Sequence, residues 1–170
     1  MERTGFDTAD GREDILKRSI FFTLLVSFFI NGCDTPNRAL PYSLIISENG
    51  LGALHGTTPF NEVNTALSGF EFEKLSPISP DQKEIIFLMK RGGDTIAQIV
   101  SDPAGKKIAE IRIVSPLIKN THQQGLGDQL NETASIQCSN EQCYDTREPS
   151  VHYRIDRETR IIKEITFSPL

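Results

Sequence analysis

The chain has 170 residues, 38% hydrophobic and 24% charged, with a formal net charge of −5, three Cys and no Trp. That apolar fraction is too high for a disordered chain, the lack of repeats argues against a fibrous one, and the length suits one compact domain with an appendage. An acidic balance without any basic block excludes nucleic acid as a partner, because phosphate binding needs clustered Lys and Arg.

The first element is a secretory signal. Lys17 and Arg18 precede an apolar run over 20–30, Ile-Phe-Phe-Thr-Leu-Leu-Val-Ser-Phe-Phe-Ile. A basic flank, a short apolar region and a small residue before the cut define such a peptide, and a membrane span would need roughly 20 apolar residues. The run ends at Ile30-Asn31-Gly32-Cys33, which resembles the bacterial lipobox. The resemblance implies cleavage between Gly32 and Cys33, a diacylglyceryl thioether on Cys33 and acylation of the new amine. Two or more acyl chains hold a protein stably on a bilayer. Asp34, directly after the lipidated Cys, resembles the enterobacterial signal for retention at the inner membrane, which tilts the address toward that membrane over the outer one. Residues 1–15 carry Glu2, Asp7, Asp10, Glu13 and Asp14, wrong for a basic leader. The expected start is therefore Leu16, translated as Met from an alternative codon. Thus 1–32 is expected as signal peptide, 33–41 as lipidated tether and 42–170 as a single α+β periplasmic domain.

Within that domain, 42–46 (Tyr-Ser-Leu-Ile-Ile) reads as a strand and Gly50-Leu51-Gly52 as a turn. Thr57-Thr58-Pro59 marks a helix start, with Pro at the first helical position and Glu62 in the first turn. Phe60, Val63 and Leu67 fall at helical spacing, and Ser68-Gly69 closes the helix. A β-meander follows over 84–90, 95–101 and 107–115, divided by Arg91-Gly92-Gly93-Asp94 and Asp102-Pro103-Ala104-Gly105-Lys106. In its third strand Ala109, Ile111 and Ile113 should face the core while Glu110 and Arg112 face water. Gly125-Leu126-Gly127 repeats the earlier tripeptide, and Asp128 could cap a second short helix through Leu130 and Ala134. This pairing suggests a strand–turn–helix–strand unit used twice. A final hairpin joins 151–155 to 161–167. The fold class expected is α+β, mainly antiparallel meander and hairpins with two short helices.

Cys138 and Cys143 enclose four residues. Outside the cytoplasm such a pair forms a disulfide by default, while free thiols or a metal site completed by His122 and His152 are the alternatives. No metal and no cofactor are expected. The glycines of Gly50-Leu51-Gly52 and Gly56 lack the G-x-G-x-x-G spacing of dinucleotide loops and serve the turn. No G-x-S-x-G segment accompanies His55, His122 or His152, so no hydrolase motif is readable.

The segment Ile46-Ser47-Glu48-Asn49-Gly50-Leu51-Gly52-Ala53-Leu54, followed by Thr57-Thr58-Pro59-Phe60 and Ala66-Leu67, is similar to the opening of the RpoE-regulated lipoprotein family. The resemblance extends over most of 42–167 and implies a small proteobacterial envelope lipoprotein linked to stress physiology, without catalytic residues to carry over. The expected function is a lipid-anchored, non-enzymatic binding or accessory protein of the envelope. A loop with Gly50, Gly52, His55 and Gly56 is the candidate contact surface for an envelope protein. The alternatives are a small-molecule binder or hydrolase with a pocket between the two halves, using His55 or His122, and an accessory of outer-membrane assembly.

Overall fold

The computed structural model describes residues 44–170. The signal run, Gly32, Cys33, Asp34 and the tether lie outside the described residues, as do Tyr42 and Ser43 of the first expected strand. Twelve strands are described: β1 (Ile45–Ser47), β2 (Gly50–Leu51), β3 (Leu54–His55), β4 (Glu71–Lys74), β5 (Ile86–Arg91), β6 (Asp94–Ser101), β7 (Ile108–Ile113), β8 (Lys119–Asn120), β9 (Ile136–Ser139), β10 (Gln142–Asp145), β11 (Glu148–Ile155) and β12 (Ile162–Phe167). One helical segment, α1, starts as a 3-10 turn over Phe60–Glu62 and continues as an α turn over Val63–Ala66. Among the described residues no helix is long and apolar enough to cross a membrane.

Eight strands form one antiparallel sheet in the order β4-β5-β6-β7-β12-β11-β10-β9. It consists of two four-stranded meanders joined at one seam, where Ile165 faces Ile113 and Phe167 faces Ile111. Alternation along each strand sends one set of side chains to each face. Phe87, Ile99, Ile111, Phe167 and Val151 make one inward row across the register. Met89, Ala97, Ile113, Ile165, Tyr153 and Cys143 make the next, and all six are buried. On the outward face Tyr144, His152, Thr166, Arg112 and Gln98 stand in line. Charged neighbours there are paired, as in Arg112 with Glu164 at 3.3 Å and Arg154 with Glu164 at 3.1 Å.

A smaller sheet, β3-β2-β1-β8, supplies the second layer, with β1 antiparallel to β2 but parallel to β8. Its Ile46, Leu51 and Leu54 join Phe60 and Val63 of α1 in the common core, and the Phe60 ring stacks on Phe87 at 5.4 Å. Gly50 sits at φ +123°, and a Cβ there would collide with the Leu54 carbonyl oxygen, so the tight β1–β2–β3 ribbon requires glycine at this point.

The expectation of two short helices is overturned: among the described residues a single seven-residue helix is present, and the antiparallel sheet dominates. Around Asp128, the carboxylate accepts from the Gly125 backbone N–H at 2.8 Å and from Lys119 Nζ at 2.6 Å, which stabilises a turn. The chain then runs extended, with Leu130 N–H donating to the Arg160 carbonyl at 2.9 Å instead of to a preceding helical turn. The strand–turn–helix–strand unit is therefore not repeated, since its second copy has no helix. In α1 itself Thr58 does not cap; its hydroxyl accepts from His55 N–H at 2.9 Å, and the helix ends before Leu67. Ala109 is exposed and Ile108 buried, against the simple alternation, because a register shift between Val100 and Ser101 inserts an irregularity opposite the start of β7.

Cys138 and Cys143 are disulfide-bonded and face each other directly across the β9–β10 hairpin. Cys143 is buried, so the bond closes the inward row at the sheet's edge. A crosslink over so short a loop restricts the unfolded chain by about 2 kcal/mol. Reduction, or the double substitution Cys138→Ser and Cys143→Ser, should lower stability in urea by about that amount while the fold's circular dichroism is retained.

Candidate functional site

An open cavity of about 670 Å³ lies where the β1–β2 turn, the end of β3, the turn before β7, Ser150 of β11 and the segment after β12 meet. Each wall is fixed by local hydrogen bonds. Glu48 accepts from the Ser150 backbone N–H at 2.8 Å and from its hydroxyl at 2.6 Å, tying the β1–β2 turn to the large sheet. The His55 ring is held by Nδ1 at 2.8 Å from the Asn49 carbonyl oxygen. A carbonyl can only accept, so Nδ1 carries the proton and Nε2 of the neutral ring remains an acceptor. Asp102 Oδ1 accepts from the backbone N–H groups of Lys106 at 2.6 Å and Lys107 at 3.2 Å. The first of these bonds leads in holding its carboxyl below the ordinary value, with the nearby lysine charges adding to the effect. Phe167, Ile108 and Pro169 provide apolar lining, and Pro169 packs so closely on Gly56 that a Cβ at that position would strike its ring.

A second cluster surrounds one buried carboxylate at the loop after β8. The Asp145 side chain is fully buried and accepts from Arg147 Nη2 at 2.8 Å, from Arg147 Nε at 3.2 Å and from the Arg147 backbone N–H at 2.9 Å. His122 Nε2 lies 3.1 Å from the same carboxylate. The Arg147 side chain is the main reason that the Asp145 carboxyl is held far below the usual carboxylate range, and it outweighs burial, which pushes the other way. Next to this group Asn120 Nδ2 donates to the Tyr153 hydroxyl at 3.0 Å, while Asn120 Oδ1 accepts from the backbone N–H groups of His122 and Gln124, both at 2.9 Å. Burial pushes the Tyr153 phenol up to about 12.

These contacts separate the residues singled out from sequence. His55 and Gly56 line the cavity, whereas Gly50 and Gly52 shape the ribbon behind it. His122 belongs to the Asp145 cluster, and His152 stands on the outward sheet face beside Tyr144, ring centroids 6.5 Å apart. No Ser–His–carboxylate relay forms at the cavity, because the Ser150 hydroxyl donates to Glu48 and the His55 ring to backbone. Among the described residues no group of three or more His, Cys, Asp or Glu side chains is placed to hold a metal ion. Sequence reasoning missed Glu48, Asp102, Asp145 and Tyr153. Asp102 carried a readable signal, an Asp opening a Pro-Gly turn; Glu48 and Tyr153 find their partners 102 and 33 residues away, and Asp145 stands out only through the burial of its own side chain.

No protein-family model matches the sequence, and no curated protein matches it significantly. The fold is similar to the crystal structure of the uncharacterized protein yfeY from Escherichia coli, with a TM-score of 0.51 and 15% identity, over 73% of this chain and 99% of that one. At that identity the likeness concerns architecture alone.

Proposed function

We propose that this chain is a lipid-anchored lipoprotein of the bacterial envelope, a member of the RpoE-regulated lipoprotein family that acts by binding. The observation that carries the reading is the basic flank, eleven-residue apolar run and Gly32-Cys33 junction in one uninterrupted segment. The Cys138–Cys143 bond supports it, since disulfides persist in oxidising compartments such as the periplasm and are rare in the cytosol. The described domain faces the periplasm, and Asp34 directs the anchor to the inner membrane. Cys33 uses one thiol and the disulfide uses the other two, so all three cysteines have a role. The ribbon and loop with Gly50, Gly52, His55 and Gly56 form the contact surface for an envelope partner.

Metabolic labelling with an alkyne palmitate analogue in a Gram-negative host tests the anchor. The wild-type chain should take up label and lose residues 1–32. Cys33→Ser should abolish labelling and leave the uncleaved precursor. An unlabelled, uncut wild-type chain would overturn the proposal.

A further inference from the structure

We propose that the cavity bounded by Glu48, His55 and Phe167 is a binding site for an organic ammonium ion carrying an apolar body. The polar groups around it decide the sign of the ligand. Glu48 is a carboxylate whose two oxygens each receive one hydrogen bond from Ser150, which leaves further lone pairs on both. In the neutral form of the ring His55 offers Nε2 as an acceptor, because the Asn49 carbonyl fixes the proton on Nδ1. The opposing charge on the cavity wall is Lys107, which is exposed, takes part in no ion pair among the described residues and, like Lys106 beside it, acts on Asp102 through space. Among the lining residues Lys107 and Asp102 thus offset each other on one wall, which leaves the Glu48 carboxylate and the His55 ring acceptor on the same cavity. A primary ammonium group has three donors and no acceptor, which complements that pair, whereas a carboxylate or phosphate would meet like charge and a lone pair. Phe167, Ile108 and Pro169 supply contact for an aliphatic substituent, the usual division between a few orienting polar groups and an apolar lining. The site is already formed without ligand, since Glu48 is tied to β11 and the His55 tautomer is set by backbone, so little ordering remains to oppose binding.

This goes beyond the anchoring and partner-binding role proposed above and does not depend on it, because an unlipidated chain would bind the same ligand. The test is calorimetric titration of the full-length chain in detergent with three leucine derivatives: leucinamide (cation), N-acetylleucinamide (neutral) and N-acetylleucine (anion at neutral pH). Leucinamide should bind at least about tenfold more tightly than either of the others. His55→Ala should weaken leucinamide binding by about tenfold, and Lys107→Met, which removes the opposing charge from the wall and leaves Asp102 uncompensated, should tighten it. Binding of N-acetylleucine in preference to leucinamide, loss of binding in Lys107→Met, unaltered binding in His55→Ala, or no leucinamide binding to the wild type at about 10 mM would each overturn the proposal.

Discussion

Asp145→Asn should destabilise the domain by about 2 kcal/mol at neutral pH, because the substitution takes away the charge to which Arg147 and His122 are hydrogen-bonded. Arg147 is largely in water and recovers its hydration, so no buried charge is left behind and the loss stays below that of a broken buried pair. The same contact sets a pH dependence of definite sign. The folded Asp145 carboxyl titrates below its unfolded value of 3.8, so the unfolded chain takes up the proton first on acidification. The stabilisation is fully present above the unfolded value and declines as pH falls from there toward the folded value. Urea unfolding of wild type and Asp145→Asn should therefore show a constant gap between pH 8 and about 5 and a narrower one at about pH 3. A gap that widens on acidification would contradict the ion-pair account.

The second large effect is expected at Tyr153, which is fully buried on β11 and whose hydroxyl accepts from Asn120. Tyr153→Ala removes a ring from the core where the two layers meet and should cost about 4 kcal/mol. Tyr153→Phe keeps the ring but leaves the Asn120 amide group without its partner, at about 1–3 kcal/mol. That residue positions the loop of 120–125 through its other two hydrogen bonds. Equilibrium unfolding separates the two contributions, and amide exchange at His122 and Gln124 should accelerate in the Phe variant.

Local chemistry made part of this architecture legible. The meander strands at 84–101 and the last hairpin follow from alternation and from turns built on Gly92, Gly93, Pro103 and Gly105, and their ends fall within a residue or two of the expected positions except that β11 begins three residues earlier, at Glu148. The cysteine pair was likewise readable from its spacing and the secretory signal. The second expected helix failed because Asp128, a good capping residue in isolation, is engaged by Lys119 and Gly125 in a turn, and Leu130 is claimed by a contact with Arg160. β4, β8, β9 and β10 are two to four residues long and polar in sequence, so their strand character comes from the neighbour they pair with and not from their own pattern. The cavity was legible only in His55 and Gly56. Glu48 reads as a turn residue until Ser150, 102 positions later, is brought against it.

The seam between β7 and β12 bears on how the molecule assembles. Every other pairing in the eight-stranded sheet joins strands that follow one another in the chain, so each half can zip up from local hairpins. The seam instead brings together Ile113 and Ile165, roughly 50 residues apart, and closing that loop is entropically dearer than any hairpin. The contact order of the sheet is concentrated in this one rung, which makes it the step that governs the rate at which the two halves become a single cooperative unit.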